Sequence, residues 1–126
     1  MRWFEYSENP VAIKSIFGEN VSSPEDMRIK EISLSHDGPR INIKLDLSDY
    51  PAQPPLKWNA ENCNTVSLEL LFVEVSNLKF TNWSINNVSS LSILKNDNHL
   101  IIDFSEICSF RSKWMYINSI TGYENK

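Results

Sequence analysis

"DMRIKEISLSHDGPRINIKLDL", residues Asp26 to Leu47, reads as a β-hairpin. On its second half Ile41, Ile43, Leu45 and Leu47 alternate with Asn42, Lys44 and Asp46. A period of two sends one set of side chains into a core and the other into water. On the first half Met27 and Ile29 share one parity, whereas Ile32 and Leu34 share the other. A phase slip of one residue predicts a β-bulge near Lys30-Glu31. Asp37-Gly38 supplies the turn. A chain organised around such a hairpin is organised around an antiparallel sheet.

The same period continues outward. In "NTVSLELLFVEVSNLKF", residues 64–80, Val66, Leu68, Leu70 and Phe72 lie on one parity and Leu71, Val73 and Val75 on the other. A strand apolar on both faces is central in its sheet or covered on both sides. Val88, Leu91 and Ile93 in "NWSINNVSSLSIL" predict another strand, with "KNDNH" as a turn and "LIIDF" pairing back. Residues 107–123 are ambiguous. Phe110, Trp114 and Ile117 have helical spacing, but Trp114, Tyr116 and Asn118 alternate. β-Branched and aromatic residues dominate there and alanine is absent, which favours strand. Before the hairpin, "SENPVAIKSIFGEN" predicts one short helix. Asn9 or Ser7 would cap it, Pro10 suits its first turn, and Gly18 would close it. The expected fold is α+β: a mainly antiparallel sheet of about six to eight strands with one short N-terminal helix, residues 1–126 forming a single domain.

With 41% apolar and 22% charged residues, the chain has the composition of a folded protein. Its net charge of −4 argues against a surface built to neutralise phosphates, so no nucleic-acid partner is expected. No run approaches the ~20 apolar residues of a spanning helix, so no membrane partner is expected either. The N-terminus, "MRWFEYSENP", carries no apolar run after its positive charge, so a cytoplasmic location is expected. Asn20-Val21-Ser22, Asn82-Trp83-Ser84 and Asn87-Val88-Ser89 then match the glycosylation sequon by chance. The oligomeric state and the strand order are not legible at this level.

Residues able to carry chemistry are scattered. Cys63 and Cys108 are unclustered, as incidental thiols are in a reducing compartment. His36 and His99 fall at expected turns, where exposed histidines are the ordinary reading and a metal site would need further ligands. Gly18, Gly38 and Gly122 form neither a nucleophile elbow nor a phosphate-cradling loop. Asp46 with Asp49, and Asp103 with Glu106, lie at strand ends, where solvated carboxylates outnumber catalytic pairs. No catalytic residue, cofactor or metal is expected.

One connection stands out. "LSDYPAQPPLKWNAENCNTVSLEL", residues 47–70, contains Pro51, Pro54 and Pro55 between Tyr50 and Trp58. Proline restricts the unfolded loop, so ordering it costs less entropy. Tyr50 and Trp58 can clamp its ends to the sheet, and a rigid loop also binds a partner at lower entropic cost. Trp83 sits in similarly polar surroundings. A tryptophan in such a setting either anchors its own loop or contacts a partner.

The order of these signals resembles the immunity protein 50 family, small bacterial proteins associated with polymorphic toxin systems. The resemblance runs from Trp3 to Tyr123. Its most specific parts are Tyr50-Pro51, Pro54-Pro55 with Lys57-Trp58, Asn82-Trp83 with Asn86-Asn87, and Ile120-Thr121-Gly122-Tyr123. It implies a non-enzymatic inhibitor that binds and neutralises a cognate toxin domain, and it transfers no catalytic or contact residues. If the toxin is a nuclease, an acidic face could occlude its basic substrate site and speed association. Clustering around the proline loop nominates Asp46, Asp49 and Glu61 for that face, with Tyr50, Trp58 and Trp83 as aromatic contacts. The alternatives are a small-ligand or carbohydrate-binding β-module that uses exposed Trp and Asn residues, and a hydrolase using two of the dispersed carboxylates.

Overall fold

The structure, a computed structural model, describes residues 2–18 and 23–126. The hairpin is β1 (Met27–Ser35) and β2 (Arg40–Asp46), antiparallel, with its register shift between Ile29 and Glu31. The shift explains the change of parity. The extra residue sends Lys30 and Glu31 to the same side, and the apolar positions resume inward at Ile32. β3 (Thr65–Val73) pairs with β2 on one side and with β9 (Trp114–Tyr123) on the other. It is central, as its apolar content requires. The short β5 (Val88–Ser89) joins the free side of β1, giving a five-stranded sheet of order β5-β1-β2-β3-β9.

A second sheet, of order β4-β8-β7-β6, contains β4 (Ser76–Phe80), β6 (Leu91–Asn96), β7 (His99–Phe104) and β8 (Cys108–Ser112). The expectation of about six to eight strands in one sheet is therefore corrected to nine strands in two, among the described residues. Breaks inside apolar runs account for the difference. The run through Leu71 and Val75 splits at Glu74, which has φ 56°. Residues 88–96 split at Ser90, and residues 108–123 split at Lys113. Residues 107–123 thus supply strands β8 and β9, with no helix. At one corner the Lys113 N–H donates to the Val73 carbonyl at 3.1 Å, and the Ser112 hydroxyl lies 2.9 Å from the same oxygen. Chain continuity and these bonds hold the two sheets together at their margin.

Between the sheets lies one core. Ile43, Leu45, Leu68, Leu70, Phe72 and Met115 contribute from the first sheet, and Ile102, Phe104 and Phe110 from the second. Phe72 and Phe110 meet edge to face, with centroids 4.9 Å apart. Helical content is small but exceeds the one short helix expected: a 3₁₀ turn (Trp3–Tyr6), α1 (Val11–Phe17) and, in the proline loop, α2 (Leu56–Ala60). The N-terminal helix begins after Pro10 and ends at Gly18, which has φ 64°. Its expected cap is not made. The Asn9 side chain instead donates to the Ile117 carbonyl at 2.7 Å and accepts from the Ile117 N–H at 2.8 Å, extending β9 as a strand would. The Asn20-Val21-Ser22 sequon and the end of "SIFGEN" lie outside the described residues. Trp3 is buried, whereas Trp114 is 39% exposed beneath the Lys113 ammonium.

Candidate binding face

One side of the five-stranded sheet faces the core. The other carries the exposed side chains of Arg28, Glu31, Lys44 and Thr121, and cross-strand register arranges its side chains in rows. Arg28, Asp46, Ser67 and Thr121 form one row; Glu31, Lys44, Glu69 and Ser119 form the next. The β1 bulge brings Lys30 to this side, where its ammonium lies 3.6 Å from Asp46 Oδ2. The Tyr123 hydroxyl donates to the same carboxylate. Asp46 is only 5% exposed despite its place on the open face. Lys30, Glu31 and Lys44 on one side, with Thr121 and Tyr123 on the other, border an open cavity of about 560 Å³ over Asp46 and Ser67.

Burial pushes the Tyr123 phenol up to about 12, and the hydrogen bond and negative charge of Asp46 add to the shift. A folded-state value above the unfolded one, about 10, stabilises the fold fully below pH ~10 and loses that contribution as pH rises through ~12. Absorbance titration at phenolate wavelengths is therefore expected to show a late-ionising tyrosine that Tyr123→Phe removes. The melting temperature of the parent should also fall more steeply above pH ~10 than that of Tyr123→Phe. Parallel declines in the two proteins would overturn the assignment.

Directly behind Tyr123 lies the answer to the proline loop. After Pro54-Pro55 the chain makes the single turn of α2, which drops Trp58 inward while Leu56, Lys57, Asn59 and Ala60 stay exposed. Trp58 packs on Gly122 so closely that a Cβ there would sit 2.5 Å from Trp58 Cδ2. Tyr50 packs beside it, with ring centroids 6.1 Å apart. The prolines and both aromatics thus seat the loop under the C-terminal strand.

The six residues nominated from sequence separate into distinct settings. Asp46 forms the floor of the charged cavity. Asp49 is exposed and accepts a 2.7 Å bond from the Ser23 N–H. Tyr50 and Trp58 are turned into the fold, and Glu61 is exposed at the end of α2. Trp83 is 49% exposed and lines a second cavity with Lys30, Glu31, Ile32 and Phe80. The bulge residues Lys30 and Glu31 belong to both cavities, so the structure brings Asp46 and Trp83 onto adjoining surface. With Trp58 only 8% exposed, a sugar-stacking platform built on Trp58 and Trp83 together is not available. Sequence reasoning missed Lys30, Lys44 and Tyr123. The phase slip was the available signal for Lys30; nothing in the spacing signalled the meeting of Tyr123 with Asp46, because they are 77 residues apart.

Other reactive groups lie outside this face. Cys63 and Cys108 are free, and burial pushes the Cys108 thiol up to about 11, away from the thiolate a nucleophile needs. Among the described residues no group of three or more His, Cys, Asp and Glu side chains is placed to hold a metal ion, and no helix is long and apolar enough to cross a membrane.

Fold and face together define a small two-sheet β-protein that presents a charged outer sheet surface. The chain belongs to the Immunity protein 50 family, whose family model matches residues 9–123. That match takes in the proline loop, the hairpin, both cavities and the Gly122-Tyr123 pair. No curated protein and no solved structure matches the chain.

Proposed function

We propose that this chain is an immunity protein that binds a cognate toxin in the cytoplasm and neutralises it by contact, without catalysis. Family membership supports the class. The observation that carries the binding site is the cavity over Asp46, where Lys30, Lys44, Glu31 and Tyr123 stand on the outer face of the five-stranded sheet. Such a site offers fixed charges and a phenol to a protein surface. Asp46 holds Tyr123 and Lys30 in place, which lowers the entropy those two side chains lose on binding.

The toxin in its more specific form is a nuclease, approached through the net charge of −4. Of the three acidic residues nominated for that approach, the exposed Asp49 and Glu61 can test it; reversing buried Asp46 would disturb the fold first. Co-expression with the reading frame immediately upstream in its own genome is the primary experiment. The two chains are expected to elute as one complex, with toxicity when this chain is omitted. Separate elution without toxicity would remove the proposal. Within a complex, Asp49→Lys with Glu61→Lys should slow association several-fold at low salt and little at high salt. Unaltered rates would sink the acidic-approach component alone.

A further inference from the structure

The free side of β1 is paired for only part of its length. β5 covers Met27 and Arg28, and the Ile29 N–H makes one further bond, 2.8 Å, to the Asn87 carbonyl. From Glu31 to Ser35, β1 has β2 on one side and, among the described residues, no strand on the other.

The Ile29 bond reveals which backbone groups point outward. Ile29 faces away from β2, so Ile29 and Leu45 are a non-hydrogen-bonded pair. Bonded and non-bonded pairs alternate along an antiparallel ladder. Across the bulge Glu31 opposes Lys44, Ile32 opposes Ile43, Ser33 opposes Asn42 and Leu34 opposes Ile41. Alternation then turns the N–H and C=O groups of Ile32 and Leu34 outward and leaves those of Ser33 bonded to β2. The bulge and the charges of Lys30 and Glu31 guard the start of this edge, but Ile32–Ser35 contains neither charge nor proline. Leu34 is 58% exposed, and next to Ile32 a cavity of about 320 Å³ opens toward Phe80 and Trp83, which are 51% and 49% exposed.

We propose that this edge pairs with the same edge of a second copy, antiparallel about a two-fold axis at Ser33. Self-complementarity selects this occupant. Pairing about Ser33 sets Ile32 opposite the partner's Leu34, and Leu34 opposite the partner's Ile32. Both members of each pair carry outward backbone groups, so each pair exchanges both of its hydrogen bonds. A slip of one residue would set outward groups against groups already bonded to β2 and would forfeit the ladder. The same register places the partner's Leu34 beside the cavity lined by Ile32, Phe80 and Trp83, reciprocally in the two copies. Glu31 then faces the partner's Ser35, so no like charges oppose each other across the new ladder. A two-fold interface of this kind closes on itself and leaves no edge for further growth. The unpaired edge runs only from Glu31 to Ser35, which places the contact among weak associations, with Kd on the order of micromolar. The inference stands on β1 and its surroundings and does not depend on the toxin-binding reading.

Sedimentation and cross-linking test it. The parent chain is expected to shift from monomer to dimer as its concentration rises through the micromolar range. Leu34→Lys, at an exposed position, should weaken dimerisation tenfold or more while melting like the parent. In a Cys63→Ser background, Ser33→Cys should oxidise to a covalent dimer. Facing residues of a non-hydrogen-bonded pair lie with Cα atoms ~4.5 Å apart, within disulfide reach. Ser35→Cys, which faces the partner's Glu31, should cross-link far less. A parent that stays monomeric throughout, or equal cross-linking at positions 33 and 35, would overturn the proposal. So would a monomer whose Ile32 and Leu34 amides gain exchange protection only on adding the toxin, which would assign the edge to a toxin strand.

Discussion

Trp58→Ala is expected to lower stability by about 3–5 kcal/mol, the range for removing a large buried aromatic, with a fall in Tm of roughly 10–20 °C for a chain of this size. Trp58 is 8% exposed and belongs to the main core cluster. It also ties the proline loop to β9 through Gly122, so its loss leaves a cavity and unseats a connection together. Gly122→Ala attacks the same contact from the other side. The new methyl would lie 2.5–2.9 Å from three atoms of the indole, close enough that something must move. Overpacking of this kind costs about 1–3 kcal/mol. The two effects should not add. With Trp58 already Ala, the methyl at position 122 enters vacated space, and the double variant should be more stable than the sum of the losses by about 1–2 kcal/mol. Urea melts of the four proteins measure this coupling. Strict additivity would show that the loop and β9 do not act as one unit. Unchanged melting of Trp58→Ala with loss of partner binding would make Trp58 an interface anchor instead.

Phe110→Ala is expected to cost about 3–5 kcal/mol as well, for a different reason. Phe110 and Phe72 are both fully buried, and their edge-to-face contact runs from β8 in one sheet to β3 in the other. Ring pairs in this arrangement contribute about 0.5–1.5 kcal/mol beyond area burial. The corner at Val73 and Lys113 joins the sheets at their margin; Phe110 joins them in the middle. Hydrogen exchange should therefore show faster sub-global opening in β6, β7 and β8, with the β1–β2–β3 ladder less affected. Uniform acceleration across both sheets would argue that they unfold only as one unit.

Much of the fold was legible in residue order. Period-two alternation gave the hairpin, and its phase slip located the bulge to within a residue. The dense apolar content of residues 66–73 marked β3 as central, and β-branched and aromatic composition favoured strand over helix in residues 107–123. Strand count was less legible, because a bend at Glu74, Ser90 or Lys113 leaves hydrophobic periodicity almost undisturbed while moving the following residues to another sheet. Asn9 illustrates a similar competition. Its position before Pro10 suits a helix cap, but pairing with the backbone of Ile117 satisfies both ends of its amide at once, and tertiary packing won.

The candidate face shows the division most clearly. Sequence determined that the chain would be a small antiparallel β-protein, and its ordered motifs pointed to the family that residues 9–123 match. Those properties are local, or are sums over local patterns. Only the tertiary structure decided that Asp46 would be a buried partner of Tyr123 and Lys30 rather than a surface carboxylate. Only it turned Trp58 inward against Gly122 and left Trp83 outside. Each of those outcomes depends on which residues strand pairing brings together across dozens of intervening positions. Alternation tells which way a side chain points; register between distant strands decides what it meets.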